Sequence, residues 1–140
     1  MSEKRLSCVL LADRHHGLTE GIRGMLETAF ETVVMVADEA SLLRGAERLQ
    51  PEVAVADLSL AHERGLGWLR TLRAHCPELK VIVISVHDEQ TVIEAAMEAG
   101  ANAVVLKRAI ATDLLPAIER VRGGEASGPS DHGRGVVKKP

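Results

Sequence analysis

Four polar residues each stand at the end of a short apolar run. Asp13 follows Leu6–Ala12, Asp57 follows Val53–Ala56, Ser85 follows Lys80–Ile84 and Lys107 follows Ala103–Leu106. Asp57 is the most informative, because a charge at the mouth of a run as apolar as Val53-Ala54-Val55-Ala56 needs a partner or a task. A carboxylate can attack phosphorus and become an aspartyl phosphate. That chemistry calls for cations at the phosphoryl oxygens, here Lys107 together with a metal held by carboxylates. It also calls for a hydroxyl to meet the new charge, and Ser85 is within the same set. Taken singly, a strand-end Asp is more often a helix cap, a Ser often caps the next helix, and a Lys is usually solvated. The set carries the reading.

The elements that must position these residues are legible in the same way. Five runs (Leu6–Ala12, Val33–Ala37, Val53–Ala56, Lys80–Ile84 and Ala103–Leu106) are rich in Val, Ile and Leu and mostly lack polar alternation. Strands buried on both faces of a parallel sheet have this pattern. Between the runs, apolar residues recur at helical spacing: Leu18, Ile22, Met25 and Leu26; Leu42, Leu43, Ala46 and Leu49; Leu66, Leu69 and Leu72. Val92, Ala95, Ala96 and Ala99 continue the pattern, as do Leu114, Leu115, Ile118 and Val121. Pro51, Pro77, Gly100 and Gly123 supply stop signals. Strict alternation with short connections predicts an α/β fold, an open parallel sheet wrapped by helices on both faces. Function in such sheets gathers beyond the carboxyl ends of the strands. The four polar residues converge on that edge.

Composition narrows the classes. The 140 residues suit one domain, 46% of them hydrophobic and 26% charged, and Phe30 and Trp68 are the only aromatics, so the core must be aliphatic. A net charge of −3 argues against a basic nucleic-acid surface. No apolar run approaches the roughly 20 residues of a membrane span, and residues 1–5 are too polar for a signal peptide. Cys8 and Cys76 suggest neither a disulfide framework nor a metal knuckle. The expectation is a soluble cytoplasmic protein with one domain at 1–123. A Gly- and Ser-rich tail at 124–140 is expected to be flexible.

The motifs Val9-Leu10-Leu11-Ala12-Asp13, Val53-Ala54-Val55-Ala56-Asp57 with Gly65 following, Val81-Ile82-Val83-Ile84-Ser85 and Gly100 through Lys107 resemble the receiver domain of two-component response regulators. The likeness covers about residues 6–123 and is nearest to receivers that precede a LuxR/NarL-type DNA-binding domain. It implies a flavodoxin-like, CheY-like three-layer α/β/α fold with a five-stranded parallel sheet in the order 2-1-3-4-5. It further implies that Asp57 accepts a phosphoryl group from a histidine kinase or phosphotransfer protein. By the same likeness Asp13 and Asp57 hold Mg²⁺, Ser85 is the switch hydroxyl and Lys107 contacts the phosphoryl group. The expected output is a partner protein or a second copy, bound through the fourth helix and fifth strand, with no direct nucleic-acid contact and no membrane. The expectation is thus a single-domain response regulator that is a phosphoryl acceptor rather than an enzyme.

Several residues depart from the family pattern. Receivers usually carry two adjacent acids after the first strand, and here the second is Arg14. A guanidinium there could pair bidentately with Asp57 in place of the metal. Weak Mg²⁺ binding is therefore expected, and the alternative function is a pseudo-receiver, an interaction module independent of phosphorylation. Val104 stands where an aromatic switch residue is common, Ala61 replaces a loop proline, and Arg108 adds positive charge after Lys107. Ser59 and His87, two residues beyond Asp57 and Ser85, are expected to flank the phosphoryl group and tune its lifetime. Asp13-Arg14-His15-His16-Gly17 does not fit the Asp-x-His-x-x-Gly spacing of cobalamin domains, and adjacent histidines make a poor metal pair. His15 is expected to cap or line the first loop.

Overall fold

The computed structural model describes residues 7–14, 16–60 and 65–123, with backbone alone at 16–19. Strands and helices alternate strictly: β1 (Cys8–Ala12), α1 (His16–Leu26), β2 (Thr32–Val36), α2 (Glu39–Leu49), β3 (Val53–Asp57) and α3 (Gly67–His75). They continue with β4 (Lys80–Ser85), α4 (Gln90–Ala99), β5 (Ala103–Leu106), a 3-10 turn at Lys107–Ala109 and α5 (Ile110–Arg122). The sheet order is β2-β1-β3-β4-β5 with every neighbouring pair parallel, as the sequence implied. The residues read as a tail, 124–140, lie outside the described residues, as do His15 and Ala61. Among the described residues no helix is long and apolar enough to cross a membrane.

The period-2 alternation of a strand explains why the runs are apolar throughout. Leu10, Ala12, Ala54, Ala56, Val81 and Val83 face one core with Leu42, Leu69, Leu72 and Ile93 of α2, α3 and α4. Val9, Leu11, Val53, Val55, Ile82 and Ile84 face the other with Ile22, Leu26, Leu114 and Ile118 of α1 and α5. Both faces of β1, β3, β4 and β5 are covered, and the edge strand β2 is only half-buried. Local signals set the helix ends. Asp38 caps α2 by accepting the Ser41 N–H at 2.7 Å, and Gln50 closes it in the left-handed conformation before Pro51.

A second constraint sits at the amino end of the sheet and was not singled out from the sequence. Arg73, in the last turn of α3, donates from Nη1 to the Leu79 carbonyl at 2.6 Å and the Pro77 carbonyl at 3.0 Å. Its Nη2 donates to the Gly100 carbonyl and to Asn102 Oδ1, each at 2.7 Å. Asn102 Oδ1 in turn accepts the Val81 N–H at 2.8 Å. One guanidinium thus fixes the connections that lead into β4 and β5. Gly100 has φ +133 there, and a Cβ on it would sit 3.0 Å from Arg73 Cβ, so glycine is required twice over. Arg73→Ala would strand several carbonyls and is expected to cost about 3 kcal/mol in urea unfolding. Arg73→Lys, which cannot fork, is expected to recover less than half of that loss.

Candidate functional site

The register of the sheet brings the four polar residues together. Ala12 pairs with Ala56, so Asp13 and Asp57, one residue further on, end adjacent strands side by side. Asp57 pairs with Ile84, which places Ser85 one step beyond, and Ser85 pairs with Leu106, which places Lys107 one step beyond again. Both carboxylates are nearly closed to solvent, Asp13 at 4% and Asp57 at 5% exposure. Side chains of opposite charge therefore converge at one edge of a low-dielectric sheet, where their interactions are stronger than in water.

Asp57 is fully engaged. Lys107 Nζ reaches past β4 and donates to its Oδ2 at 2.8 Å. Ser59 donates to its Oδ1 twice, from the backbone N–H at 2.8 Å and from Oγ at 2.9 Å. Burial pushes the Asp57 carboxyl up, but the hydrogen bonds from Lys107 and Ser59 outweigh it and hold the group below the usual carboxylate range. Ser59, expected to flank a phosphoryl group on Asp57, lies on the Asp57 carboxylate itself. The available signal was Asp57-Leu58-Ser59, an Asp whose side chain accepts from the backbone two residues on.

One expected contact is not made. Arg14 does not pair with Asp57; Lys107 holds that carboxylate, and half-buried Arg14 makes no hydrogen bond or ion pair with any described residue. Sequence adjacency to Asp13 puts Arg14 on the right loop, but the long stem of Lys107 emerging from β5 is what reaches Asp57. Ser85 is buried beside the site, yet its hydroxyl is turned to its own loop, donating to the His87 carbonyl and accepting the His87 N–H, both at 2.9 Å. His87 itself is exposed, with Nδ1 3.7 Å from Glu89 Oε1. Arg108 spends its charge on Asp88 at 3.1 Å, bridging the loop after β4 to the turn after β5. Val104 is buried in the core between the sheet and α4, with no ring to swing.

The donor set bears directly on Mg²⁺. Asp13 and Asp57 remain, but among the described residues no group of three acids, histidines or cysteines is placed to hold a metal ion. Mg²⁺ demands six oxygens in near-octahedral geometry. Two carboxylates with waters can supply such oxygens, but here one has both oxygens already accepting hydrogen bonds and the other is followed directly by the guanidinium of Arg14, a poor fit for a divalent cation.

The depressed Asp57 titration has a sign that can be checked. Its carboxylate stabilises the fold fully above the unfolded Asp value of about 3.9 and loses that contribution as pH falls through the lower folded value. The unfolding free energy of wild type minus that of Asp57→Asn is therefore expected to be most favourable to wild type at pH 5–7. It should shrink steadily as the pH is lowered to 2 in parallel urea titrations.

Comparison with known proteins agrees with this geometry. The family model described as "Response regulator receiver domain" matches residues 9–119. Transcriptional regulatory protein DegU of Brevibacillus brevis is 28% identical over 128 residues, 90% of this chain and 54% of that protein. Transcriptional regulatory protein RcsB of Escherichia coli K12 is 27% identical over 136 residues, 93% of this chain and 62% of that protein. The chain thus spans little more than half the length of these LuxR/NarL-type relatives. Among solved structures, the isolated receiver domain of Salmonella enterica serovar Typhimurium RcsB in its apo form matches with a TM-score of 0.79 at 27% identity. That match covers 89% of this chain and 93% of the other. With the five-stranded sheet in 2-1-3-4-5 order and Asp57 and Lys107 paired at its edge, the chain belongs to the response regulator receiver family.

Proposed function

We propose that this receiver accepts a phosphoryl group on Asp57 from the phosphohistidine of a histidine kinase or phosphotransfer protein. The observation that carries the reading is the buried Asp57 carboxylate held ionised against Lys107 at 2.8 Å. An ionised carboxylate is a competent nucleophile, and an ammonium already at its oxygen stands where phosphoryl charge arrives. An Asp57 oxygen forms the new bond to phosphorus while the phosphorus–nitrogen bond of the donor breaks, its electron pair leaving with the imidazole. Ser85, freed from His87, then turns to the added charge and draws the loop after β4 with it. The signal leaves through α4 and β5 toward a partner protein or a second copy, and with Val104 aliphatic it travels by backbone shift rather than ring rotation. In this reading the protein is a cytoplasmic phosphoryl acceptor, not an enzyme acting on a separate substrate.

Receiver domains generally bind Mg²⁺ at an acidic pocket. With Asp13 and Asp57 as the carboxylates at this edge among the described residues and Arg14 beside them, this chain would bind it weakly. A second reading, a pseudo-receiver that works without phosphorylation, is favoured by one feature, Arg14 in place of an acid. Intact mass after incubation with acetyl phosphate and Mg²⁺ separates the two. Wild type is expected to gain one phosphoryl group and Asp57→Ala none; an unmodified wild type would leave the pseudo-receiver standing.

A further inference from the structure

A phosphoryl group arriving at a carboxylate needs positive charge on its oxygens. Among the described residues no group of three acids, histidines or cysteines could hold a divalent ion for that purpose, and the position where an acid is usual carries a cation. The structure further shows what that cation is not doing. Arg14 is not locked onto Asp57, since Lys107 holds Oδ2 and Ser59 holds Oδ1. Nor does it have another hydrogen bond or ion pair among the described residues, in contrast to Arg108, which is paired with Asp88. It is half-buried, one residue past Asp13 on the loop that ends β1, beside the strand that ends in Asp57.

We propose that this site takes up a phosphoryl group without a divalent cation, Arg14 and Lys107 supplying the two positive contacts. The inference rests on Asp57 being the acceptor. A guanidinium presents two parallel N–H donors that match two phosphoryl oxygens, and it is always charged. Lys107 provides a point charge for the third oxygen as it leaves Oδ2. Among the described residues, the charges of Arg14 and Lys107 offset those of Asp13 and Asp57 at this edge before the phosphoryl group arrives. A divalent ion placed beside Arg14 would be repelled by it. With acetyl phosphate as donor, an Asp57 oxygen bonds to phosphorus, the bond from phosphorus to the acetyl oxygen breaks, and acetate leaves with the electron pair. No proton or other co-reactant is needed.

The test compares wild type, Arg14→Gln and Arg14→Asp by intact mass after acetyl phosphate, in excess EDTA and in Mg²⁺, with Mg²⁺ binding followed by calorimetry. Wild type is expected to be labelled equally fast in both conditions and to show no calorimetric Mg²⁺ binding. Arg14→Gln is expected to be slowed about 100-fold in EDTA, the usual effect of removing one charge-stabilising group. Arg14→Asp should be labelled only with Mg²⁺ and should bind it measurably. Labelling of wild type that requires Mg²⁺, or Arg14→Gln matching wild type in EDTA, would overturn the inference and leave Asp57 as acceptor. Wild type unlabelled in both conditions would overturn the acceptor reading as well.

Discussion

The contact between Lys107 and Asp57 joins residues 50 positions apart and sets the terms for the rest of the molecule. A carboxylate closed to solvent at the end of an apolar strand is costly unless a cation and hydrogen-bond donors meet it. Lys107 can do so only if β5 lies two strands from β3 in the right register, so that Asp57, Ile84, Ser85 and Leu106 step across the sheet. That register is fixed from the far end. Arg73 and Asn102 hold the segments leading into β4 and β5, some five residues upstream of the charged groups. The chemistry at one edge of the sheet is therefore supported by a polar clamp at the other.

Much of this was legible in the sequence because it follows from residue type and period. Uninterrupted runs such as Val81-Ile82-Val83-Ile84 have no polar face to offer solvent, so they can only be strands covered on both sides. Once the strands are placed, Asp13, Asp57, Ser85 and Lys107 fall on one edge by counting. Asp57 and Ser85 close β3 and β4 as counted, while Asp13, Ala37 and Lys107 fall one residue beyond the ends of β1, β2 and β5.

What the sequence did not show is how polar groups choose among partners that share one edge of the sheet. Arg14 and Lys107 both end strands near Asp57, and only the fold reveals that the lysine stem reaches the carboxylate. Ser85 sits where counting puts it, but its hydroxyl prefers two local backbone bonds at His87. Arg73 carried no signal at all, because a charged residue in the last turn of a helix reads as solvated until the carbonyls of two loops are seen around it.

These choices leave the Asp57 carboxylate held by three donors and the Ser85 hydroxyl turned to its own loop. The central claim is that Asp57 is the atom-level acceptor at this edge. The most direct measurement is borohydride reduction after exposure to acetyl phosphate, followed by peptide mass mapping, since reduction of an aspartyl phosphate converts that residue to homoserine. The account predicts homoserine at position 57 and nowhere else. Homoserine at position 13, or none at all in protein shown by mass to carry a phosphoryl group, would contradict it.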